Sequence, residues 1–278
     1  MLHGGPGSPN SYVAYYHQPY LNFANVIYYD QRGAGKTRLK NKTTPQSLTY
    51  DILVEDLKQT IQYVKEKYQT NRVFLVGHSC GSLLGTQYII KHPHDVAGYI
   101  GYGQIVNILV QEKSWCEHIK DTILKSGNKK DIKKINSVDA SLPNITREEY
   151  VKIVPLISSL DYKYGYKVAD WMRIYRKSPI MSFFKDGLIM MDAEKFNQNL
   201  LAEMYDFDVR SIKEYQVPIY YVLGRHDEWT ASTIAAEYFE TIEAPKKEIY
   251  WIENAGHMVD MDNPSAFFST VMEIISQS

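Results

Sequence analysis

Short apolar runs alternate along the chain with stretches whose apolar residues recur every three or four positions. "NVIYYD" (25–30) reads as a buried strand. A Gly-rich turn follows, then a helical pattern in which Leu53, Leu57, Ile61, Val64 and Tyr68 form one stripe. "RVFLVG" (72–77) is a near-continuous apolar run of the kind found in parallel sheets, and a helix is expected from about Gly81 to Lys91. "VAGYIGYG" (96–103), "VPIYYVLG" (217–224) and "EIYWIEN" (248–254) read as further strands. The chain ends in a helix that Asn263 caps and Pro264 begins, with Phe267, Phe268, Val271, Met272 and Ile275 expected on one face. Strand–helix alternation of this kind predicts an α/β fold on a mostly parallel sheet.

Residues 105–210 break that rhythm. Lysine-rich "KSGNKKDIKK" and aromatic "YKYGYKVADWMRIYRK" lie there, with helical patches and no βαβ repeat. Because strands resume at Val217, this block reads as a mostly helical cap inserted into a core made of residues 1–104 and 211–278. A separate second domain is the alternative. The lysine run reads as a solvated face.

Composition narrows the function classes. Lys and Arg number 31 against 32 Asp and Glu, a net charge of -1. A nucleic-acid binder would carry a basic excess, so no nucleic-acid partner is expected. The two cysteines, Cys80 and Cys116, make no disulfide framework and fit a reducing compartment. No apolar run approaches the length of a membrane span, and no leader pattern is evident. The expectation is a cytoplasmic protein with no membrane partner, no metal and no cofactor. Two glycosylation-type triplets, at 41–43 and 144–146, carry little weight without a leader.

Candidate chemistry concentrates in "LVGHSCGS". Gly77-His78-Ser79-Cys80-Gly81 matches G-x-S-x-G, between an apolar strand and a helix as that motif requires. A nucleophile must stand clear of a sharp strand-to-helix turn, and side chains two positions either way would crowd it. Ser79 is then the candidate nucleophile, and it needs a base to take its proton. A Gly-rich turn with an idle serine is the bland alternative. The order Ser, Asp, His calls for two partners downstream. "VLGRHDEW" puts Asp227 after one strand and "IENAGHMVD" puts His257 after the next. Carboxyl ends of neighbouring parallel strands share one sheet edge, so the three could converge. His257 would move the proton and Asp227 would orient its ring. Asp260 and Asp262 lie after the expected acid position, alternation points His226 away, and His78 reads as a packed residue.

The backbone N–H of Cys80 is a candidate oxyanion donor, and "HGGPG" offers the second, with Gly5 preferred and Gly4 next. A turn without a catalytic role is the alternative there. "RGAGKT" imitates a phosphate-binding loop, but the pattern needs glycine where Asp30 stands. Asp30 and Arg32 are expected instead to brace the loops near the oxyanion segment.

Together, "HGGPG", "DQRGAGKT", "GHSCGS", "GRHDE" and "NAGH" resemble the proline iminopeptidase family of α/β-hydrolases, serine peptidase family S33. The resemblance spans nearly the whole chain outside the cap. It implies the α/β-hydrolase fold, the triad roles for Ser79, Asp227 and His257, and the oxyanion positions for Gly5 and Cys80. It implies release of N-terminal proline or another residue from short peptides. It also implies a carboxylate anchor for the substrate's α-amine, at Glu228, with Glu203 or Glu194 in the cap. Two positions depart from the family pattern: Cys80 stands where Trp or Tyr is usual, and His78 where Gly is frequent. A carboxylesterase or lactonase on a small acyl substrate, or an inactive truncated hydrolase, therefore stays open. Oligomeric state is not legible. The family places three strands before the "HGGPG" loop, where this chain has only Met1 and Leu2. The expectation is that the sequence begins late, or that another segment or a partner completes the sheet.

Overall fold

Four of the apolar runs become strands in the computed structural model, which describes residues 1–41, 48–139, 147–167 and 169–277. They are β1 (Val73–His78), β2 (Val96–Tyr102), β3 (Ile219–Gly224) and β4 (Lys247–Ile252). They form a four-stranded sheet in the order β1-β2-β3-β4, with every pairing parallel. Parallel neighbours need long crossovers, and each one here carries helix. Both triplets noted above reach outside the described residues, one through Lys42 and Thr43, the other as Asn144-Ile145-Thr146.

Residues 25–30 are not a strand. Their apolar content is right, but a strand also needs a neighbouring backbone to pair with. Among the described residues no strand backbone pairs with this segment; the Met1 amine donates to Ile27 O at 2.8 Å and Thr37 Oγ1 to Asp30 O at 2.6 Å. Tertiary context here overrides local propensity.

Side chains alternate across the sheet and build two cores. On one face Leu75, Tyr99, Ile219, Tyr221 and Leu223 pack with helices α2 (Tyr50–Tyr68), α3 (Cys80–Lys91) and α10 (Ser232–Glu240). On the other, Val76, Ile100, Tyr102, Tyr220 and Val222 pack with α11 (Pro264–Ser276). Helix α2 starts where the Thr49 side chain accepts the Ile52 N–H, and it buries Leu53, Leu57 and Ile61; Tyr68 ends exposed. The Asn263 side chain caps α11 by accepting the Ala266 N–H. Its buried face is Phe267, Phe268, Val271 and Ile274. Met272 turns to solvent, because the helix meets the sheet one position away from the expected stripe.

Between β2 and β3 the chain forms α4 (Ile108–Ser126), α5 (Lys129–Asp139), α6 (Arg147–Tyr164), α7 (Trp171–Arg176), α8 (Phe183–Met191) and α9 (Gln198–Asp206). Trp115, Cys116, Ile119, Ile123, Ile157 and Leu160 give α4 and α6 a small core of their own. The helix α1 (Gly35–Lys40) ties this block down. Lys36 Nζ reaches Asp186 at 2.7 Å, and Arg38 pairs with Asp192 while lying 3.5 Å over the Phe196 ring. No helix among the described residues is long and apolar enough to cross a membrane.

Candidate active site

The parallel register brings the carboxyl ends of β1, β2, β3 and β4 to one edge, and the candidate residues follow those ends directly. Ser79 sits between β1 and α3 with φ 51 and ψ -124. A non-glycine residue holds such a conformation only when its surroundings enforce it. Here its N–H donates to Tyr102 O, and its carbonyl accepts from Ser82 N and Ser82 Oγ. The flanking glycines are required by space. A Cβ on Gly77 would lie 2.8 Å from Gly81 O, and one on Gly81 would overlap Leu2 O.

The "HGGPG" segment packs directly on this turn. A Cβ on Gly4 would lie 2.8 Å from Ser79 Cβ, so bare backbone is what allows the approach. Gly5 is exposed at φ 116. Its carbonyl accepts from Cys80 Sγ at 3.1 Å. Cys80 is the first residue of α3, where a helix leaves its N–H groups without intrahelical acceptors. Its thiol lies against Met204 Sδ, and burial pushes its pKa up to about 12. Gln31 braces the segment from behind: its N–H donates to His3 Nε2 and its side-chain amide to His3 O. Asp30 holds the neighbouring loop, accepting from Ser11 N, Ser11 Oγ and Lys36 N. Arg32 turns away and forks onto Asp56 of α2. It is taken by a helix carboxylate rather than by the oxyanion segment.

Asp227 and His257 meet. His257 Nδ1 lies 3.1 Å from Asp227 Oδ2 and 3.2 Å from Oδ1, with both side chains buried. Burial works to raise the Asp227 pKa. The His257 ring and hydrogen bonds from Thr230 outweigh it, and the carboxyl titrates below its ordinary value. Among the described residues no hydrogen bond joins Ser79 Oγ to the His257 ring. The two are instead neighbours through shared packing. Gly103 abuts the His257 ring and His78, and His78 Nε2 contacts His257 O at 3.0 Å. Long catalytic contacts are ordinary in a ligand-free enzyme and tighten around substrate. His78 stacks on Tyr102, ring centres 4.5 Å apart. Burial and the nearby His257 take its pKa down to about 3.

A cavity of about 240 Å3 opens beside His257, with Glu228, Asp161, His226, Trp229 and Tyr166 in its walls. The half-buried Glu228 carboxylate lies 3.6 Å from His118 Nδ1, and burial raises its pKa. His226 does not point away: it stacks on Tyr166 at 4.4 Å and lines the same cavity. Glu203 goes elsewhere, its carboxylate accepting the Tyr50 N–H at 2.7 Å. Glu194 lies in the short helix Ala193–Phe196, its side chain outside the described residues.

Four contributors escaped sequence reasoning. Thr230 holds both Asp227 oxygens, N–H to Oδ1 and hydroxyl to Oδ2. Its place three residues after the acid is a legible turn signal. Trp229 covers the His257 ring at 5.1 Å and donates Nε1–H to Asp161 of α6 at 2.7 Å. Gln111 of α4 donates to both Gln104 O and Thr230 O. No local signal marks Asp161 or Gln111, because their partners lie far along the chain. No group of three His, Cys, Asp or Glu among the described residues is placed to hold a metal ion.

A family model described as "Serine aminopeptidase, S33" matches residues 1–150. The probable aminopeptidase YbaC of Bacillus subtilis (strain 168) is 25% identical over 285 residues, covering 98% of this chain and 86% of that protein. A proline iminopeptidase of Heyndrickxia coagulans is 25% identical over 281 residues, 99% of this chain and 89% of that one. The crystal structure of a proline iminopeptidase from Mycobacterium smegmatis superposes with a TM-score of 0.72 at 18% identity, over 99% of this chain and 88% of that chain.

Proposed function

The chain belongs to the Serine aminopeptidase, S33 family and has the α/β-hydrolase fold, and from that premise we propose that it releases N-terminal residues, proline among them, from short peptides. One observation carries the reading. The Asp227–His257 pair stands beside a strained Ser79, and His257 shares a cavity with a carboxylate, Glu228.

With Nδ1 held by Asp227, His257 has Nε2 left for the proton of Ser79. Ser79 Oγ attacks the carbonyl of the first residue. His257 takes the hydroxyl proton, and the Gly5 and Cys80 N–H groups receive the oxyanion. Collapse breaks the peptide bond, His257 returns the proton to the leaving amine, and an acyl-enzyme remains. Water repeats the sequence in reverse. Glu228 takes the substrate's free ammonium, an ion pair that peptides blocked at the amine cannot make. The block 105–210 acts as the cap that closes this cavity. It reaches the catalytic edge through Asp161 and Gln111. The names of the Bacillus subtilis and Heyndrickxia coagulans relatives support the aminopeptidase reading, as does the acidic wall of the cavity.

The test is kinetic. Fluorophosphonate should label the protein, and Ser79→Ala should abolish labelling. Glu228→Gln should raise KM for prolyl or alanyl arylamides at least tenfold while leaving short acyl esters unchanged. Arylamide cleavage indifferent to Glu228→Gln would sink the amine anchor. Ester turnover without arylamide cleavage would make the protein an esterase.

A further inference from the structure

Two more carboxylates, Asp260 and Asp262, follow closely after His257, and neither holds its ring. Asp260 is buried against the Tyr102 hydroxyl and His17. Asp262 is placed differently. It ends the short helix Val259–Asp262, half-buried, with its own N–H on Met258 O. Its Oδ2 accepts the Gly256 N–H at 2.8 Å, and its Oδ1 accepts the Ala169 N–H at 2.5 Å. One carboxylate therefore holds both the peptide directly in front of His257 and a residue of the helical block, between α6 and α7.

The turn that carries His257 shows what the first bond does. The ring must present Nδ1 to Asp227 and Nε2 toward Ser79, and that demand fixes the backbone from which it hangs. Ala255 O accepts from His226 N at 2.9 Å, and His257 O accepts from His78 Nε2 at 3.0 Å. Between them stands Gly256, whose carbonyl lies so close to Gly224 that a Cβ there would overlap it. A glycine is the freest pivot a chain can place before a catalytic residue. Its N–H is the group that Asp262 takes. The second bond is shielded: Ala169 lies in an apolar cluster with Met258, Met261 and Tyr175. Burial raises the Asp262 pKa, while the Ala169 and Gly256 N–H groups and the His257 ring work to lower it. Hydrogen bonds from N–H groups to a carboxylate are the strong kind, and low local polarity strengthens them further.

We propose that Asp262 is a positioning residue for His257: through the Gly256 N–H it fixes the turn that bears the histidine, and the Ala169 N–H fixes the carboxylate, so that the helical block helps to aim the catalytic ring. This rests on the triad reading of Ser79, Asp227 and His257, and is independent of the amine anchor at Glu228. Asp262 acts through backbone alone. Both its oxygens are acceptors, which two facing N–H groups require. Asparagine offers one acceptor and one donor, so it would satisfy one N–H and oppose the other. Alanine would satisfy neither.

The experiment compares Asp262→Ala and Asp262→Asn with the unsubstituted full chain, well below the melting range of each. It reads the rate at which a fluorophosphonate labels Ser79, the downfield proton resonance of the His257–Asp227 hydrogen bond, and amide exchange at Gly256 and Ala169. The probe carries no ammonium, so Glu228 plays no part in it. Asp262→Ala should label at least tenfold more slowly, shift or broaden that resonance, and speed exchange at both amides. Asp262→Asn should fall between the two. Asp95→Asn, which breaks contacts to Lys65 and Tyr88 at the opposite end of β2, should lower Tm and leave the labelling rate and the resonance unchanged. Labelling of Asp262→Ala at the unsubstituted rate would overturn the proposal and leave the triad standing. Slower labelling with an unmoved resonance would also overturn it, by making the loss one of stability alone. Faster exchange at Gly256 with none at Ala169 would strike out the part assigned to the helical block. An unsubstituted protein that takes no label fails at the triad itself, and the proposal falls with it.

Discussion

Thr230 places the Asp227 carboxylate by holding each oxygen with a different donor, and its hydroxyl also lies 3.3 Å from His257 Nδ1. Thr230→Val keeps the shape and the N–H but removes the hydroxyl. One hydrogen bond to a charged group is worth about 1.5 kcal/mol, so kcat on a cleavable arylamide should fall roughly tenfold with KM unchanged, and Thr230→Ser should restore it. A second residue-scale effect concerns stability. Asp260 accepts from Tyr102 OH at 3.0 Å and lies 3.4 Å from His17 Nε2. Burial raises its pKa from 3.8 to about 7 and lowers that of His17 to about 3. Between those two Asp260 values the folded chain keeps a proton that the unfolded chain has released. The Asp260 contribution to stability therefore declines as pH rises from about 4 to 7 and stays low above that, by at most roughly 4 kcal/mol, while His17 and His78 act in the opposite direction below about 6.5. Asp260→Asn removes only the first of these, so the Tm of the variant minus that of the unsubstituted protein should climb from pH 5 to 7 and level off above.

At the scale of elements, the turn from β1 into α3 is the most constrained piece of backbone near the site. Gly81 faces Leu2 O and His3 O with no room for a side chain. In Gly81→Ala the new methyl can be admitted only if α3 and the segment from Leu2 to Gly5 part. Overpacking of this kind costs roughly 1–3 kcal/mol, and here it also shifts the proposed oxyanion donors. Thermal melts should show the loss, and fluorophosphonate labelling of Ser79 should slow by more than the melt alone explains. The strand positions themselves were legible to within a residue or two, because β1, β2 and β3 are apolar runs long enough to need no other signal. Residues 25–30 have the same composition and fail as a strand, since pairing is a property of two segments and composition belongs to one.

Across the whole molecule, the helical block is joined to the sheet layer by a few buried polar links. Asp186 of α8 is fully buried and accepts from Tyr12 OH at 2.6 Å, Lys36 Nζ at 2.7 Å and Ser182 N. Burial works against its charge, and the Lys36 and Tyr12 contacts outweigh that, leaving its pKa below the ordinary value. Asp186→Ala would strand the Tyr12 hydroxyl and the Lys36 ammonium. Lys36 is one-third exposed, so the expected loss is roughly 2–3 kcal/mol rather than the full cost of breaking a buried pair. Chemical denaturation should show it, and Asp186→Asn should lose less.

The sequence by itself determined the elements that rest on local rules. The G-x-S-x-G turn, the acid and histidine after successive strands, and the Asn263 cap are each written in a few adjacent residues. Periodicity fixed which face of α2 is buried. Only the tertiary structure decided what depends on distant partners. Asp161 meets Trp229 across 68 positions, Gln111 meets Thr230 across 119, and Glu203 is drawn to Tyr50 across 153. A carboxylate's neighbours set its role, and those neighbours are assembled by packing.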